Sequence, residues 1–217
     1  ERLRRRAKYL WIDLEGGVTL VVHLGMSGRL TVAPSDAPRQ PHEHVGIFLA
    51  SGRRLRFRDP RRFGLVLVAP TARLASDRHF RHLGVEPLGS AFDGAFLERA
   101  ARGRRAPVKS FLLDGRIAVG VGNIYASEAL HVAGIHPRRS VSRISSRRWR
   151  RLADAVRTVL DSAVEQGGTT LNDFTNGAGE PGYFQVSLSV YDRAGEPCPR
   201  CGAAVRRIDQ GNRSTFY

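Results

Sequence analysis

The stretch RGRRAPVKSFLLDGRIAVGVGNIYASEALHVAG, residues 102–134, reads as a helix, a turned connection and a second helix. Glycines lead through Asn123 into the second helix, so its free backbone N–H groups and the positive end of its dipole face outward, toward an anion. Arg104, Arg105 and Lys109 flank the same connection, and the whole makes a phosphate clamp. The plainer reading is a tight turn capped by Asn123, and G-x-G-N alone does not choose between the two.

Outward from this motif the pattern changes on both sides. Upstream, from residue 7 to about 69, short apolar alternations are joined by tight turns: KYLWIDLE and VTLVVHLG flank Gly16-Gly17, HVGIFLAS and RLRFRDP flank a turn at Gly52-Arg53, and FGLVLVA follows. That pattern predicts an antiparallel β-sandwich. From about 72 to 165 the period is helical, ending in the long SSRRWRRLADAVRTVLDSAVEQ with Ser145 or Ser146 as cap. From 166 the chain is Gly-rich, then strand-like in QVSLSVYDR, then ends in EPCPRCGAAVRRIDQGNRSTFY.

Composition narrows the function. The chain has 217 residues, 35 Lys plus Arg against 20 Asp plus Glu, and a net charge of +15, a surplus that favours a polyanion partner, nucleic acid first. With two cysteines there is no disulfide framework, so a reducing, intracellular setting is the default. No run of about 18 apolar residues is present to span a membrane. Only Lys8 and Lys109 are lysines among the 35 basic residues, and lysine, unlike arginine, can exchange a proton near neutrality. Lys8 is the stronger candidate for chemistry, because the arginines around it in RRRAKYL would lower its pKa.

Three further constellations bear on chemistry. In FRDPRRFG, residues 57–64, Asp59-Pro60 starts a turn from which Arg61, Arg62 and Phe63 project. An arginine pair beside an aromatic suits DNA, the arginine reading a base edge or phosphate and the ring wedging into a base step. Taken alone, the octamer is read slightly better with Phe63 in the core and the arginines solvated. The segment 167–184, with Thr169, Thr170, Asn172, Asn176 and the anchors Phe174, Tyr183 and Phe184, is long enough to be a functional loop closing over a flipped base. Cys198 and Cys201, in C-P-R-C-G, have zinc-knuckle spacing in a strand-turn-strand pattern rather than the strand-to-helix context of a thioredoxin motif. All seven histidines lie far upstream, so a second C-x-x-C just past Tyr217 is the simplest expectation.

RRRAKYLWIDL, HLGMSGRL, HEHV, FRDPRRFG, LGVEPL, GVGNIYASEALHVAGIHP, EQGGTTLNDF, PGYFQVSLSVYDRAGEPCPRCG and GNRSTFY, in this order and over the whole chain, resemble formamidopyrimidine-DNA glycosylase. The resemblance implies an α+β multidomain protein: a β-sandwich domain (1–70), a helical domain with a helix-two-turns-helix motif and the lesion-recognition loop (71–185), and a C-terminal zinc ribbon (186–217). It implies base-excision repair of 8-oxoguanine and formamidopyrimidines in duplex DNA, by base flipping, glycosidic cleavage and β,δ-elimination. Lys8 then matches the proton donor in β-elimination and Arg213 the arginine assigned to δ-elimination. Met26, Arg61 and Phe63 match the trio filling the hole left by the flipped nucleotide, with Arg61 reading the opposite cytosine. His42, Arg62, Arg104, Lys109, Asn123 and Tyr125 match DNA-binding positions, and Cys198 with Cys201 match ligands of one structural Zn2+. The implied setting is the bacterial cytoplasm at the nucleoid, the implied partner duplex DNA carrying oxidised purines or abasic sites, with no membrane, and the implied state a monomer.

Two departures accompany the match. The family begins Pro-Glu, and its proline amine attacks C1′, whereas this sequence starts at Glu1, seven residues before the lysine motif. The second cysteine pair of the ribbon is also absent. Both are expected to reflect a longer coding sequence, the alternative being a non-catalytic damaged-DNA-binding protein of the same fold.

Overall fold

The computed structural model describes residues 2–168 and 188–217. They form two compact units, one of residues 2–81 with 166–168 and one of residues 82–165 with 188–217.

The first unit is two antiparallel sheets. One has the order β1-β2-β3-β7, from strands Arg2–Arg6, Tyr9–Leu14, Val18–His23 and Leu65–Pro70; the other has the order β4-β6-β5, from Arg29–Pro34, Arg53–Arg58 and Glu43–Phe48. Their apolar faces meet, with Leu20, Val22 and Phe57 at the centre and Leu10, Ile12, Leu30, Val45, Ile47 and Val66 around them. Alternation places the partners of these residues on the outer faces, so the expected sandwich is present.

Strand β1 was not legible as a strand, because ERLRRR carries no apolar alternation. It pairs with β2 in the register Arg4↔Trp11, and what holds it is charge and stacking: Arg4 reaches both Asp13 oxygens at 2.6 and 2.7 Å and lies 5.0 Å from the Trp11 ring. Strand β4 likewise hides in GRLTVAP. The expected turn at Gly52-Arg53 is shifted: Arg53 already belongs to β6, and Leu49–Gly52 form the link, with Gly52 at φ 72°.

The second unit holds four helices, α1 (Gly94–Ala101), α2 (Val108–Leu112), α3 (Asn123–Ala133) and α4 (Ser146–Glu165). The expected helical region opens on a 3-10 helix, Thr71–Ser76, and α-helix starts only at Gly94. α4 buries Trp149, Leu152, Val156, Val159 and Ala163, a stripe with helical spacing. Ser145 precedes its first turn, and Ser146 donates its hydroxyl to Glu98 at 2.8 Å. Between α2 and α3, turns closed by Ile117 N–H on Asp114 and tied to Val85 give the helix-two-turns-helix connection.

The C-terminal segment ends in a hairpin of β8 (Arg207–Asp209) and β9 (Ser214–Phe216), packed with Val190 and Val205. The expected strand QVSLSVYDR lies partly outside the described residues, and its described part, 188–193, is not a strand. The Glu128 carboxylate explains this. It accepts the N–H groups of Ser189, Val190 and Tyr191 at 2.8–2.9 Å, three donors in succession, which removes them from any ladder.

Candidate nucleic-acid interface

In the first unit the wedge candidates sit on two turns. Met26 is 67% exposed on the turn after β3, and Phe63 is 58% exposed on the turn after β6. Phe63 is therefore not a core residue, which overturns the reading of the octamer taken alone; Arg61 stacks its guanidinium 5.1 Å from the ring. The backbones of the two turns touch. A Cβ added at Gly25, whose φ is 65°, would come within 2.6 Å of the Phe63 carbonyl carbon, so only glycine fits.

Asp59 lies beneath both turns, 1% exposed. Its Oδ1 accepts the Ser27 hydroxyl at 2.7 Å and its Oδ2 the Gly64 N–H at 2.7 Å. Burial pushes this carboxyl up, but the Ser27 hydroxyl and the amides of Gly64, Arg61 and Arg62 outweigh it and hold the group below its usual range. Arg62 is exposed with φ 56° and His42 exposed with φ 62°, left-handed conformations that β-carbons disfavour. His42 is pinned by its neighbours: its carbonyl accepts the Asp59 N–H at 3.0 Å, and the next residue, Glu43, is clamped from below. The Glu43 side chain is 3% exposed, 3.5 Å from both Arg54 and Arg56, whose guanidiniums also hold the Ala37 and Pro38 carbonyls.

Lys8 is exposed in the turn joining β1 and β2, following Ala7 at φ 55°. Its charge reaches His23, whose imidazole burial and then Lys8 push down.

In the second unit, α2, the start of α3 and the hairpin converge. α3 opens at Gly122 with no side-chain cap, so Asn123 is its first helical residue and not the cap. The Asn123 amide instead reaches the hairpin, its Nδ2 donating to the Ser214 carbonyl at 2.9 Å and the Tyr191 hydroxyl at 3.2 Å. Lys109 is 1% exposed and does not project from α2; its Nζ donates to Thr215 Oγ1 at 2.7 Å and the Ser214 carbonyl at 3.3 Å. Burial first, then the Arg213 charge, push it down to about 8. Arg213 itself is exposed at the end of a turn whose central Gly211 and Asn212 have φ 58° and 56°, the pattern of a two-residue hairpin turn. Lys109, Asn123 and Arg213, far apart in sequence, thus share one locus at an uncapped helix start. Arg104 is exposed, 3.9 Å from Asp114, and Tyr125 is half-buried on the first turn of α3.

Cys198 and Cys201 are both free thiols. The knuckle is closed by Cys198 N–H on Ala203 and Gly202 N–H on Cys198, and the Arg200 N–H approaches the Cys198 sulfur at 3.4 Å. That amide, then those of Cys201 and the Arg200 charge, hold the Cys198 thiol below its usual range, as a metal-binding thiolate requires. The pair fits two corners of a tetrahedral thiolate site; among the described residues no third histidine, cysteine or carboxylate completes a group, although His131 Nε2 lies 4.0 Å from Cys198 Sγ.

The expected loop 167–184, with Thr169, Thr170, Asn172, Phe174, Asn176, Tyr183 and Phe184, lies outside the described residues apart from Gly167 and Gly168. Sequence reading missed Ser27, Glu43 and Glu128, and took Asp59 only as the start of a turn. A carboxylate inside an otherwise apolar helical run, as in ASEAL, is the signal that a group such as Glu128 leaves.

Three family descriptions match in order: the formamidopyrimidine-DNA glycosylase N-terminal domain at residues 1–66, its H2TH domain at 83–175, and a zinc finger found in FPG and IleRS at 195–217. The last supports a structural zinc at the cysteine knuckle. Formamidopyrimidine-DNA glycosylase from Acidithiobacillus ferrooxidans is 54% identical over 217 residues, covering 99% of this chain and 78% of that protein. The protein of that name from Halorhodospira halophila is 56% identical over 216 residues, with the same coverages. Among solved structures, the MutM (Fpg) protein of Thermus thermophilus superposes with a TM-score of 0.90 at 41% identity, covering 99% of this chain and 79% of that one. A Lactococcus lactis Fpg in complex with abasic-site DNA gives 0.91 at 30% identity, with the same coverages. On sequence, domain order and fold alike, the chain belongs to the formamidopyrimidine-DNA glycosylase family.

Proposed function

We propose that this chain works in base-excision repair of oxidised purines in bacterial duplex DNA, as a DNA glycosylase with abasic-site lyase activity. The observation that carries the reading is the wedge: Met26 and Phe63, two large apolar side chains more than half exposed, with Arg61 stacked on the ring, in a protein of net charge +15. Exposed apolar groups next to a reader of base edges suit the gap left by an extruded nucleotide, whose loss from the stack costs a few kcal/mol.

His42, Arg62, Arg104, Asn123 and Tyr125 serve as DNA contacts in this reading, and Lys109 acts beneath the turn that carries Arg213. Once the base has left, an amine forms an imine at C1′; this acidifies the C2′ hydrogen, and its removal expels the 3′ phosphate. Lys8 would supply the proton for β-elimination, and Arg213 would hold the phosphate that leaves in δ-elimination. One zinc would stiffen the ribbon that presents Arg213. The setting would be the nucleoid-associated cytoplasm, with the protein a monomer; among the described residues no helix is long and apolar enough to cross a membrane.

Binding to duplexes with a stable abasic analogue tests this. The chain should bind them at least about tenfold more tightly than intact duplex, with a preference for cytosine opposite the gap. Borohydride trapping on natural abasic DNA, followed by peptide mapping, tests the chemistry. Equal affinity for intact and gapped duplexes would overturn the reading.

A further inference from the structure

We propose that Asp59 and Ser27 are positioning residues for opposite-base reading, locking the Met26 turn and the Arg61–Phe63 turn into one rigid piece before DNA is met. The inference rests on the wedge reading above and adds what makes the wedge work.

Met26 and Arg61 are 35 residues apart, on links leaving different sheets, and nothing in either turn alone fixes one against the other. The Ser27 hydroxyl does so. It donates to Asp59 Oδ1 at 2.7 Å and accepts the Arg61 N–H at 3.2 Å, so a single oxygen joins the Met26 turn both to the buried carboxylate and to the backbone of the reader. Asp59 uses its other oxygen on the Gly64 N–H at 2.7 Å, closing the second turn. Its own backbone continues the network, the N–H to the His42 carbonyl at 3.0 Å and the carbonyl against His44 Nε2 at 2.9 Å. With Asp59 1% exposed and Ser27 4% exposed, water does not compete for these bonds.

Three side chains on two independent turns would each lose freedom on insertion, weakening binding and blurring the choice of opposite base. A guanidinium discriminates bases only when it is held within a few tenths of an ångström and about 10–20° of the base edge. The Ser27–Asp59 link supplies that fixity at the backbone of Arg61 itself. Its removal should therefore lower discrimination more than overall affinity.

The experiment measures the affinity of the 217-residue chain for duplexes carrying a tetrahydrofuran abasic analogue opposite C, A, G or T, for the wild type, Ser27→Ala, Arg61→Ala, the double variant and Thr19→Val. Thr19→Val is the control for mere loosening: Thr19 is fully buried in the same unit, at the end of β3 away from the Met26 turn, and donates to Asp13 at 2.7 Å. The expected result is a preference for cytosine that Ser27→Ala cuts about three- to tenfold, that Arg61→Ala abolishes, that the double variant lowers no further, and that Thr19→Val leaves in place despite a lower melting temperature. If the wild type shows no preference, or Arg61→Ala retains it, the wedge reading itself fails. If Arg61→Ala loses the preference and Ser27→Ala keeps it, the reader stands and the positioning role is wrong. An equal loss in Thr19→Val would mean general loosening and also overturn the proposal.

Discussion

The Lys109 ammonium of α2 donates to the Thr215 hydroxyl of β9 across 2.7 Å, in a site that leaves the lysine 1% exposed. Among the described residues no carboxylate is a hydrogen-bond partner of this group; burial, and then the nearby Arg213 charge, hold it down at about 8 against an ordinary 10.5. Below pH 8 folded and unfolded chains both carry the proton, and the full cost of burying the charge is present. Between about 8 and 10.5 the unfolded chain keeps a proton that the folded chain has released, so stability rises with pH across that window. Thermal melts from pH 7 to 10 should show this rise in the wild type and lose it in Lys109→Met, which fills the same space without charge. A variant with an unchanged slope would show that the pH dependence comes from another group.

Glu128 offers a second handle on the same unit. Its carboxylate, 3% exposed, holds three consecutive amides of the segment leading into the hairpin. Glu128→Gln keeps the shape but replaces one acceptor oxygen by a donor, and should cost about 2–3 kcal/mol. Amide exchange at Ser189, Val190 and Tyr191 should speed up more than exchange in α4. Uniform acceleration across the unit would argue against a local clamp.

Glu43 tests the support beneath His42. It lies 3.5 Å from each of two guanidiniums whose side chains are only 13% and 6% exposed, and removing it leaves two buried charges facing each other. Glu43→Ala should cost about 3–5 kcal/mol in chemical denaturation, because the uncompensated arginines must then be solvated or expelled. Combined with Arg56→Met, the loss should be less than the sum of the single losses, since the second change removes part of the repulsion released by the first. Strict additivity would mean that the pair does not interact.

The sequence carried the two features with a strong period, the alternating strands of the sandwich and the amphipathic α4, whose Trp149, Leu152, Val156 and Val159 announce their own buried face. It also placed Met26, Arg61 and Phe63 in exposed turns once the family resemblance was applied, although the octamer alone pointed Phe63 inward. What it did not carry were long-range polar contacts. Glu128 meets Tyr191 across 63 positions and Lys109 meets Thr215 across 106, and no local pattern encodes such a partner. Strand β1 escaped for a related reason, since Arg4 belongs in the sheet only by virtue of Asp13 and Trp11. Lys109 was expected in a phosphate clamp beside Arg104 and Arg105; its burial depends on β9 folding over it.

The cysteine knuckle gives the last expected outcome. A zinc ion held for structure takes four ligands, and these 217 residues contain two thiols, prepared by the Arg200 and Cys201 amides but without a third protein ligand grouped with them among the described residues. Two thiolates alone leave the ion's remaining positions to water, so a polypeptide of these 217 residues should bind zinc weakly and lose it to a modest chelator. Appending a second C-x-x-C in a ribbon context should raise the affinity by several orders of magnitude and order the turn that carries Arg213, because metal binding and folding of such a site are one equilibrium. Zinc content after chelator dialysis, together with amide exchange at Gly211–Ser214, reads both effects. Stoichiometric, chelator-resistant zinc in the 217-residue polypeptide would contradict this and direct attention to His131, whose Nε2 is 4.0 Å from Cys198 Sγ and would need to move only about 0.4 Å inward to share a tetrahedral metal at ordinary bond lengths. His131→Phe then separates the two cases, releasing the zinc if the imidazole is a ligand and leaving it in place if the thiols and another group hold it.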